Sequence, residues 1–200
     1  MALDYDRDNP MSPPYTVEEG WIETYTGQAF HFLNPHPDEI HFTDIAHSLS
    51  MQARYNGHTK FFYSVAEHSV LMALWMIAEG HGYMVALTAL LHDAAETYIG
   101  DMAQPVKEKL PEFRAIEKRI DIAVGLKFGT PYPFPSIIKE ADTRILVDER
   151  SQAMRASGNK WGIDDLAPLG VLIMGWDPQE AKTRFLETYI EITAKLGLFR

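Results

Sequence analysis

The chain contains no cysteine among its 200 residues. A disulfide framework and a metal site built from thiolates are therefore both excluded. No apolar run reaches the roughly 18 residues that a membrane-spanning helix needs. The first residues, MALDYDRDNP, lack the basic and apolar pattern of a signal peptide. We therefore expect no membrane partner and a cytoplasmic location.

Positive charge is also scarce in this sequence. Its 18 Lys and Arg residues are outnumbered by 28 Asp and Glu residues, which gives a formal net charge of −10. Such an acidic balance argues against a general affinity for nucleic-acid backbones or for anionic membranes. A nucleotide bound by this chain would need a local basic pocket within an acidic surface.

The pattern along the chain predicts one all-α domain with a small β element. Residues 1–20 are rich in proline and acidic residues and are predicted to form a flexible arm, whereas residues 21–200 form a single domain. The segment WIETYTGQAFHF at 21–32 alternates in polarity and predicts a short β-hairpin. Apolar periodicity then predicts helices at about 43–54, 65–79, 83–98, 112–127, 137–154 and 178–195.

The most informative motif is the adjacent pair His92 and Asp93, within HDAAE at 92–96. Imidazole nitrogens and carboxylate oxygens suit a divalent metal ion, and such a site can generate hydroxide near neutral pH. On a helix, His92 and Glu96 lie on one face and Asp93 lies about 100° around the axis. This arrangement indicates hydrolysis.

Two other predicted helices can supply further ligands to the same ion. Ser64 begins the Ser-x-x-Glu form of a capping box, which places His68 in the first turn of a largely apolar helix. Asp142 flanks the apolar stripe of a helix whose N-cap is predicted at Ser136. A carboxylate beside a core-facing stripe needs a partner, and a metal ion is one candidate.

The order of these residues resembles that of the HD-domain phosphohydrolases. Four segments carry the resemblance: VAEHS at 65–69, HDAAE at 92–96, GDMAQPVK at 100–107 and KEAD at 139–142. Together they are similar to the bacterial HD-domain 5′-deoxynucleotidases and the phage dATP triphosphohydrolases, over roughly residues 21–154. The resemblance implies an HD-domain helical bundle.

The resemblance also implies a role for each candidate site residue. One divalent ion (Mn, Co, Zn or Mg), with a second ion possible alongside the substrate, would be held by His68, His92, Asp93 and Asp142. Catalysis would involve Glu96 and Asp101, and the substrate would contact Arg54, Tyr55, Asp101, Pro105 and Lys107. Related enzymes often have Trp where this chain has Tyr55, so the residue that stacks on the base stays open.

The expected reaction is hydrolysis of the 5′ phosphoester at the α-phosphorus of a deoxynucleotide. The sequence favours dATP, with deoxyadenosine and triphosphate as products, and a 5′-deoxynucleotidase acting on monophosphates is the alternative. A signalling-nucleotide phosphodiesterase and a non-catalytic nucleotide-binding module also stay open. Related enzymes are oligomers, so we expect a homo-oligomer, in the host cytoplasm if the chain is phage-encoded.

Overall fold

The computed structural model describes residues 20–198 of the chain. Residues 1–19 of the predicted N-terminal arm therefore lie outside the described residues. The predicted hairpin is confirmed: β1 (Ile22–Glu23) pairs antiparallel with β2 (Ala29–Phe30), with Ile22 opposite Phe30. The backbone N–H of Thr26 in its turn donates to Asp44 Oδ1 at 2.7 Å. This bond fixes the hairpin to the first helix.

The rest of the described chain is mostly helical, as the periodicity predicts. The helices are α1 (Phe42–Met51), α2 (Val65–Ala78), α3 (Tyr83–Leu91), α4 (Glu96–Ile99), α5 (Gln104–Lys107), α6 (Pro111–Phe128), α7 (Ser136–Gln152) and α8 (Pro178–Lys195). Among residues 20–198, none of these helices combines the length and apolar character needed to cross a membrane.

The core forms where α2 and α3 pack against α1 and α8. Met72 and Met76 of α2, Leu87 and Leu90 of α3, and Phe185 of α8 are fully buried there. Each such side chain stabilises the fold by roughly 1.5–3 kcal/mol relative to exposure. Since α2 is apolar on most of its circumference, it occupies the centre of the bundle and carries His68 into the interior.

Two helix starts carry side-chain caps, and the sequence predicts the first of them, at Ser64. Ser64 Oγ accepts from the Glu67 backbone N–H at 3.0 Å, and Asp177 Oδ1 accepts from that of Glu180 at 2.8 Å. The second half of the predicted Ser64 capping box is wrong, because the Glu67 carboxylate turns away to accept backbone N–H groups of Met174, Gly175 and Trp176. The predicted N-cap at Ser136 is also displaced by one residue, since α7 begins at Ser136 itself.

The first predicted helix ends earlier than expected. It stops at Met51, and Ala53 is extended and forms an antiparallel bridge with Ser64. Arg54, predicted as the end of this helix, begins a separate 3-10 turn and donates its backbone N–H to Tyr63 O at 2.9 Å. Pairing with a distant segment has therefore overridden the local helical preference.

The predicted helix at 83–98 is interrupted within the HDAAE motif at 92–96. Residues 92–95 form turns between α3 and α4, with the N–H of Glu96 bonded to Asp93 O at 3.0 Å. Bonds to the third preceding residue tighten the backbone relative to an α-helix. Gly100 ends the segment with a φ of 81°. Residues 104–107, predicted as loop, form the short helix α5.

Candidate metal centre and its surroundings

Three elements that are distant in sequence bring His68, His92 and Asp142 together. One ligand atom from each residue lies within 4.8 Å of the others. The Nε2 atoms of the two histidines are 3.4 Å apart, and Asp142 Oδ1 lies 3.4 Å from His68 Nε2 and 3.9 Å from His92 Nε2. Both imidazoles are buried, while Asp142 is partly exposed. This group can hold a metal ion.

Asp93 adjoins this group and borders both imidazoles. Its Oδ1 is 3.1 Å from His92 Nε2 and its Oδ2 is 3.6 Å from His68 Nε2. The structure therefore brings all four predicted ligands to one place, and three of them, His68, His92 and Asp142, have ligand atoms within 4.8 Å of one another. The role of Asp93 as a fourth ligand stays a prediction.

The Nδ1 atom of each imidazole makes a hydrogen bond on the side away from the candidate metal centre. This bond fixes the orientation of each ring. His92 Nδ1 donates to Ala89 O at 2.7 Å, and His68 Nδ1 donates to Glu149 Oε1 at 2.8 Å. The Nε2 lone pairs of both rings are then free to converge with the carboxylate of Asp142. Partners of this kind orient histidines that bind metals, and an N₂O set suits a borderline divalent ion. The donors present therefore fit the predicted cofactor.

Glu149 is an important residue that the sequence interpretation missed. It is completely buried two helical turns after Asp142 on α7. Its carboxylate accepts from His68, from Tyr63 Oη at 2.8 Å and from Tyr55 Oη. The periodicity of α7 places Glu149 on the face of Asp142, which was the available signal. Its partners lie on other elements and could not be read from α7 alone.

Arg54 neutralises this buried carboxylate. Its Nε lies 3.2 Å from Glu149 Oε1, and its other side approaches Asp93 Oδ2 at 3.6 Å. Burial alone would raise the pKa of Glu149, but the charges of Arg54 and His68 lower it to about 2. Arg54, which was predicted to contact the substrate, is thus buried between Asp93 and Glu149.

Tyr55 follows Arg54 in an unusual backbone conformation. Its φ of 57° lies in the left-handed region, which costs a residue with a Cβ about 1 kcal/mol. Its hydroxyl is held by Glu149, and its ring lies 5.7 Å from that of Trp161. Trp161 is therefore an aromatic neighbour of Tyr55 that the sequence did not indicate, and the residue that stacks on the base stays open.

Glu96 is buried beside the metal centre with one oxygen lacking a partner. Its Oε2 has no hydrogen bond within the described residues, and its Oε1 lies 3.8 Å from Lys107 Nζ. Burial, followed by repulsion from Asp93 and Asp101, raises the pKa of Glu96 well above its usual value. Buried carboxyl groups whose pKa is raised in this way are typical of residues that transfer protons in active sites.

The remaining predicted substrate residues lie on the segment that follows Glu96. Asp101 is half-buried, and burial is the main cause of its raised pKa. Lys107 donates to Glu117 Oε1 on α6 at 2.6 Å. Pro105 is exposed in α5.

Two acidic residues of α6, which the sequence interpretation missed, border the same region. Glu117 contacts Lys107, and Asp121 lies one turn further along the same face of α6. Burial, with repulsion from Glu117 and Asp93, raises the pKa of Asp121 to about 7. The surroundings of the centre are therefore more acidic than the motifs alone indicated.

The protonation of His92 makes metal binding dependent on pH. Burial lowers its pKa, but Asp93 and Asp142 outweigh burial and raise it to about 9 in the metal-free chain. The stability from this charged histidine is present below about pH 6.5, its unfolded pKa, and is lost as pH rises through about 9. A metal ligand must be neutral, so metal binding becomes stronger over the same interval.

We therefore predict that the stabilisation conferred by Mn²⁺ increases as pH rises from about 6.5 towards 9. Thermal unfolding with and without the ion, compared at each pH, measures this difference in Tm. The same series with His92→Ala should show little dependence on added ion. A difference that shrinks with rising pH in the unmodified chain would contradict the assignment of His92 as a ligand.

Comparisons with known proteins identify relatives whose names state no activity. The chain is 32% identical over 175 residues to the Escherichia coli (strain K12) uncharacterized protein YfdR, covering 86% of this chain and 96% of that protein. It is 41% identical over 130 residues to an uncharacterized protein of Rhodobacter capsulatus, covering 62% of this chain and 66% of the relative. No model of a protein family matches the chain.

Proposed function

We propose that this chain, which belongs to the same protein family as Escherichia coli YfdR, is a divalent-metal-dependent hydrolase of deoxynucleotides. It would be of the HD-domain phosphohydrolase type and would cleave the 5′ phosphoester at the α-phosphorus. The observation that carries the proposal is the convergence of His68, His92 and Asp142 beside the buried Glu96, whose Oε2 has no hydrogen-bond partner among residues 20–198. A metal-binding group next to a proton-exchanging carboxyl is what phosphoester hydrolysis requires.

Each residue of the site has a part in this reaction. A divalent ion held by His68, His92, Asp142 and Asp93 would polarise a phosphoryl oxygen and acidify water. Glu96 takes a proton from the attacking water as the water oxygen bonds to phosphorus. The bond between phosphorus and the 5′-oxygen breaks, and a proton from solvent converts the leaving 5′-oxygen to the nucleoside hydroxyl. Asp101 contacts the ribose hydroxyl or that leaving oxygen, as the motif resemblance implies.

The charge around the site favours a monophosphate over a triphosphate. Both cations predicted to bind phosphate already contact carboxylates, Arg54 with Glu149 and Lys107 with Glu117. Asp121 adds further acidity on α6. Every additional phosphate would meet this negative field and would have to displace one of these ion pairs. We therefore propose dAMP as the preferred substrate on the basis of the structure.

The triphosphate dATP is the second candidate. It is favoured by the likeness of the HDAAE and PVK segments to those of the phage enzymes. The same bond would be cleaved, with triphosphate in place of phosphate as the product. Lys107 would then have to exchange Glu117 for a phosphate oxygen.

The pairing of Lys107 with Glu117 can be tested by changing only the carboxylate. We predict that Glu117→Gln releases Lys107 for phosphate binding and raises kcat/KM for dATP relative to dAMP by about tenfold, the value of one charge-assisted contact. Steady-state kinetics with both substrates measure the ratio. Glu112→Gln, an exposed position on the same helix, is the control and should leave the ratio unchanged. An equal change of the kcat/KM ratio in Glu117→Gln and Glu112→Gln would show that Glu117 has no specific role in substrate preference.

The reaction class is tested by incubating the purified chain with Mn²⁺ or Co²⁺ and a panel of mono- and triphosphates in ¹⁸O-labelled water. Hydrolysis at the α-phosphorus should label the released phosphate or triphosphate and leave deoxyadenosine unlabelled. Release of dAMP with pyrophosphate from dATP would indicate a pyrophosphohydrolase. Turnover of cyclic or signalling nucleotides alone would indicate a phosphodiesterase, and binding without turnover would indicate a non-catalytic module.

A further inference from the structure

One polar side chain next to the site has no part in the proposed reaction and yet contacts both ends of the segment that carries Glu96 and Asp101. Gln52 Nε2 donates to Glu96 O at 3.0 Å, and Gln52 Oε1 accepts from the Asp101 backbone N–H at 2.9 Å. The same Nε2 donates to Ser48 Oγ at 2.9 Å. The side-chain amide of Gln52 thus bonds through both its donor and its acceptor to the backbone of the segment 96–101.

The segment 96–101 needs such support because its own structure is weak. Helix α4 is a single turn of four residues, well below the roughly 12 residues at which an isolated helix becomes stable. Its other link to α1 is a bond from Ser48 Oγ to Thr97 O at 3.2 Å. The C-terminal end of α1 therefore supplies the fixed frame against which Glu96 and Asp101 are placed.

The backbone of Gln52 connects this frame to the metal centre. Its carbonyl oxygen accepts from the Val65 N–H at 3.1 Å, at the start of α2, the helix that carries His68 in its first turn. The next residue, Ala53, bridges Ser64. Gln52 is thus the point at which the helix bearing His68 and the segment bearing Glu96 are joined.

We propose that Gln52 is a positioning residue that sets Glu96 and Asp101 in register with the metal-binding histidines. The inference rests on the proposed hydrolytic function. An amide is required because it presents one donor and one acceptor together. A carboxylate in its place would set an acceptor oxygen against Glu96 O, and an apolar side chain would leave the carbonyl and the Asp101 N–H without this partner.

The expected consequence is a loss of rate without a loss of substrate or metal binding. Misplacement of a reacting group by about 1 Å can cost on the order of 10²-fold in rate. We therefore expect Gln52→Met, which conserves length, and Gln52→Glu to lower kcat for dAMP by about 10- to 100-fold. KM should change little, and bound Mn²⁺ should stay at the level of the unmodified chain. Gln179→Met and Gln179→Glu, at an exposed site on α8, are the matched controls.

A second measurement does not depend on turnover. Amide hydrogen exchange at Asp101 should accelerate in Gln52→Met, because its N–H loses the Gln52 oxygen, while exchange in the core of α2 should be unaffected. The proposal would be overturned if protection of the Asp101 amide, or kcat, were unchanged in Gln52→Met. It would also be overturned if kcat fell only because the variant lost metal or unfolded. If the unmodified chain hydrolyses no deoxynucleotide, the proposed function itself is overturned. The catalytic part of the proposal about Gln52 then fails with it.

Discussion

Replacing Glu96 by glutamine is expected to lower kcat by about 10²–10⁴-fold, the contribution of a positioned acid-base group. Glutamine keeps the volume of the side chain but cannot take a proton from water. The carboxyl of Glu96 is 5% exposed and has an oxygen without a partner in the described chain, so no neighbouring residue already occupies that atom. Steady-state turnover of dAMP by the metal-loaded protein measures the loss.

Metal content distinguishes this effect from damage to the metal centre. Glu96 is not among the three residues whose ligand atoms lie within 4.8 Å of one another, so Glu96→Gln should bind as much Mn²⁺ as the unmodified chain. Glu108→Gln, which removes an exposed charge just after α5, is the matched control and should keep its activity. Full activity in Glu96→Gln would remove Glu96 from the mechanism.

The second large effect concerns stability. Replacing Glu149 by alanine is expected to reduce the free energy of unfolding by about 3–5 kcal/mol, the cost of leaving a buried charge without its partner. Arg54 would lose its closest carboxylate, and Tyr63 and His68 would lose their acceptor. Urea unfolding measures the change. Glu140→Ala, which breaks an exposed ion pair with Arg144, should cost less than about 1 kcal/mol.

The Glu149 carboxylate also makes the free energy of unfolding depend on pH. The folded pKa of Glu149 is about 2, below its unfolded value of 4.5. Its contribution is therefore fully present above about pH 4.5 and is lost as pH falls towards 2, and it amounts to roughly 3 kcal/mol. Glu149→Gln should lack this part of the acid sensitivity. An unfolding free energy that falls with acid as steeply in Glu149→Gln as in the unmodified chain would contradict the assignment.

The metal-binding group was predictable because each of its members belongs to a local pattern. His68 follows a recognisable cap at Ser64, and His92 lies at the end of a clearly periodic apolar helix. Asp142 flanks the stripe of another such helix. Local signals of this kind predict the helices without knowledge of tertiary contacts. The convergence of the three residues was what the resemblance to the HD-domain phosphohydrolases implied.

The residues that were missed depend on contacts between distant segments. Glu149 matters because the bridge between Ala53 and Ser64 brings Arg54 and Tyr63 to it, and no pattern in α7 contains that information. Gln52 was assigned to the last turn of a helix predicted to reach residue 54, but the helix ends at Met51. Contacts between distant segments decided both outcomes.

The most direct test of the account is to follow turnover of dAMP while Mn²⁺ is titrated into chelator-treated protein. The account predicts that the metal-free chain is inactive and that turnover rises in proportion to the ion bound, with deoxyadenosine and phosphate as products. His92→Ala should neither bind the ion tightly nor recover activity. Turnover that survives complete removal of the metal, or full metal binding by the native chain with no hydrolysis of any deoxynucleotide, would contradict it.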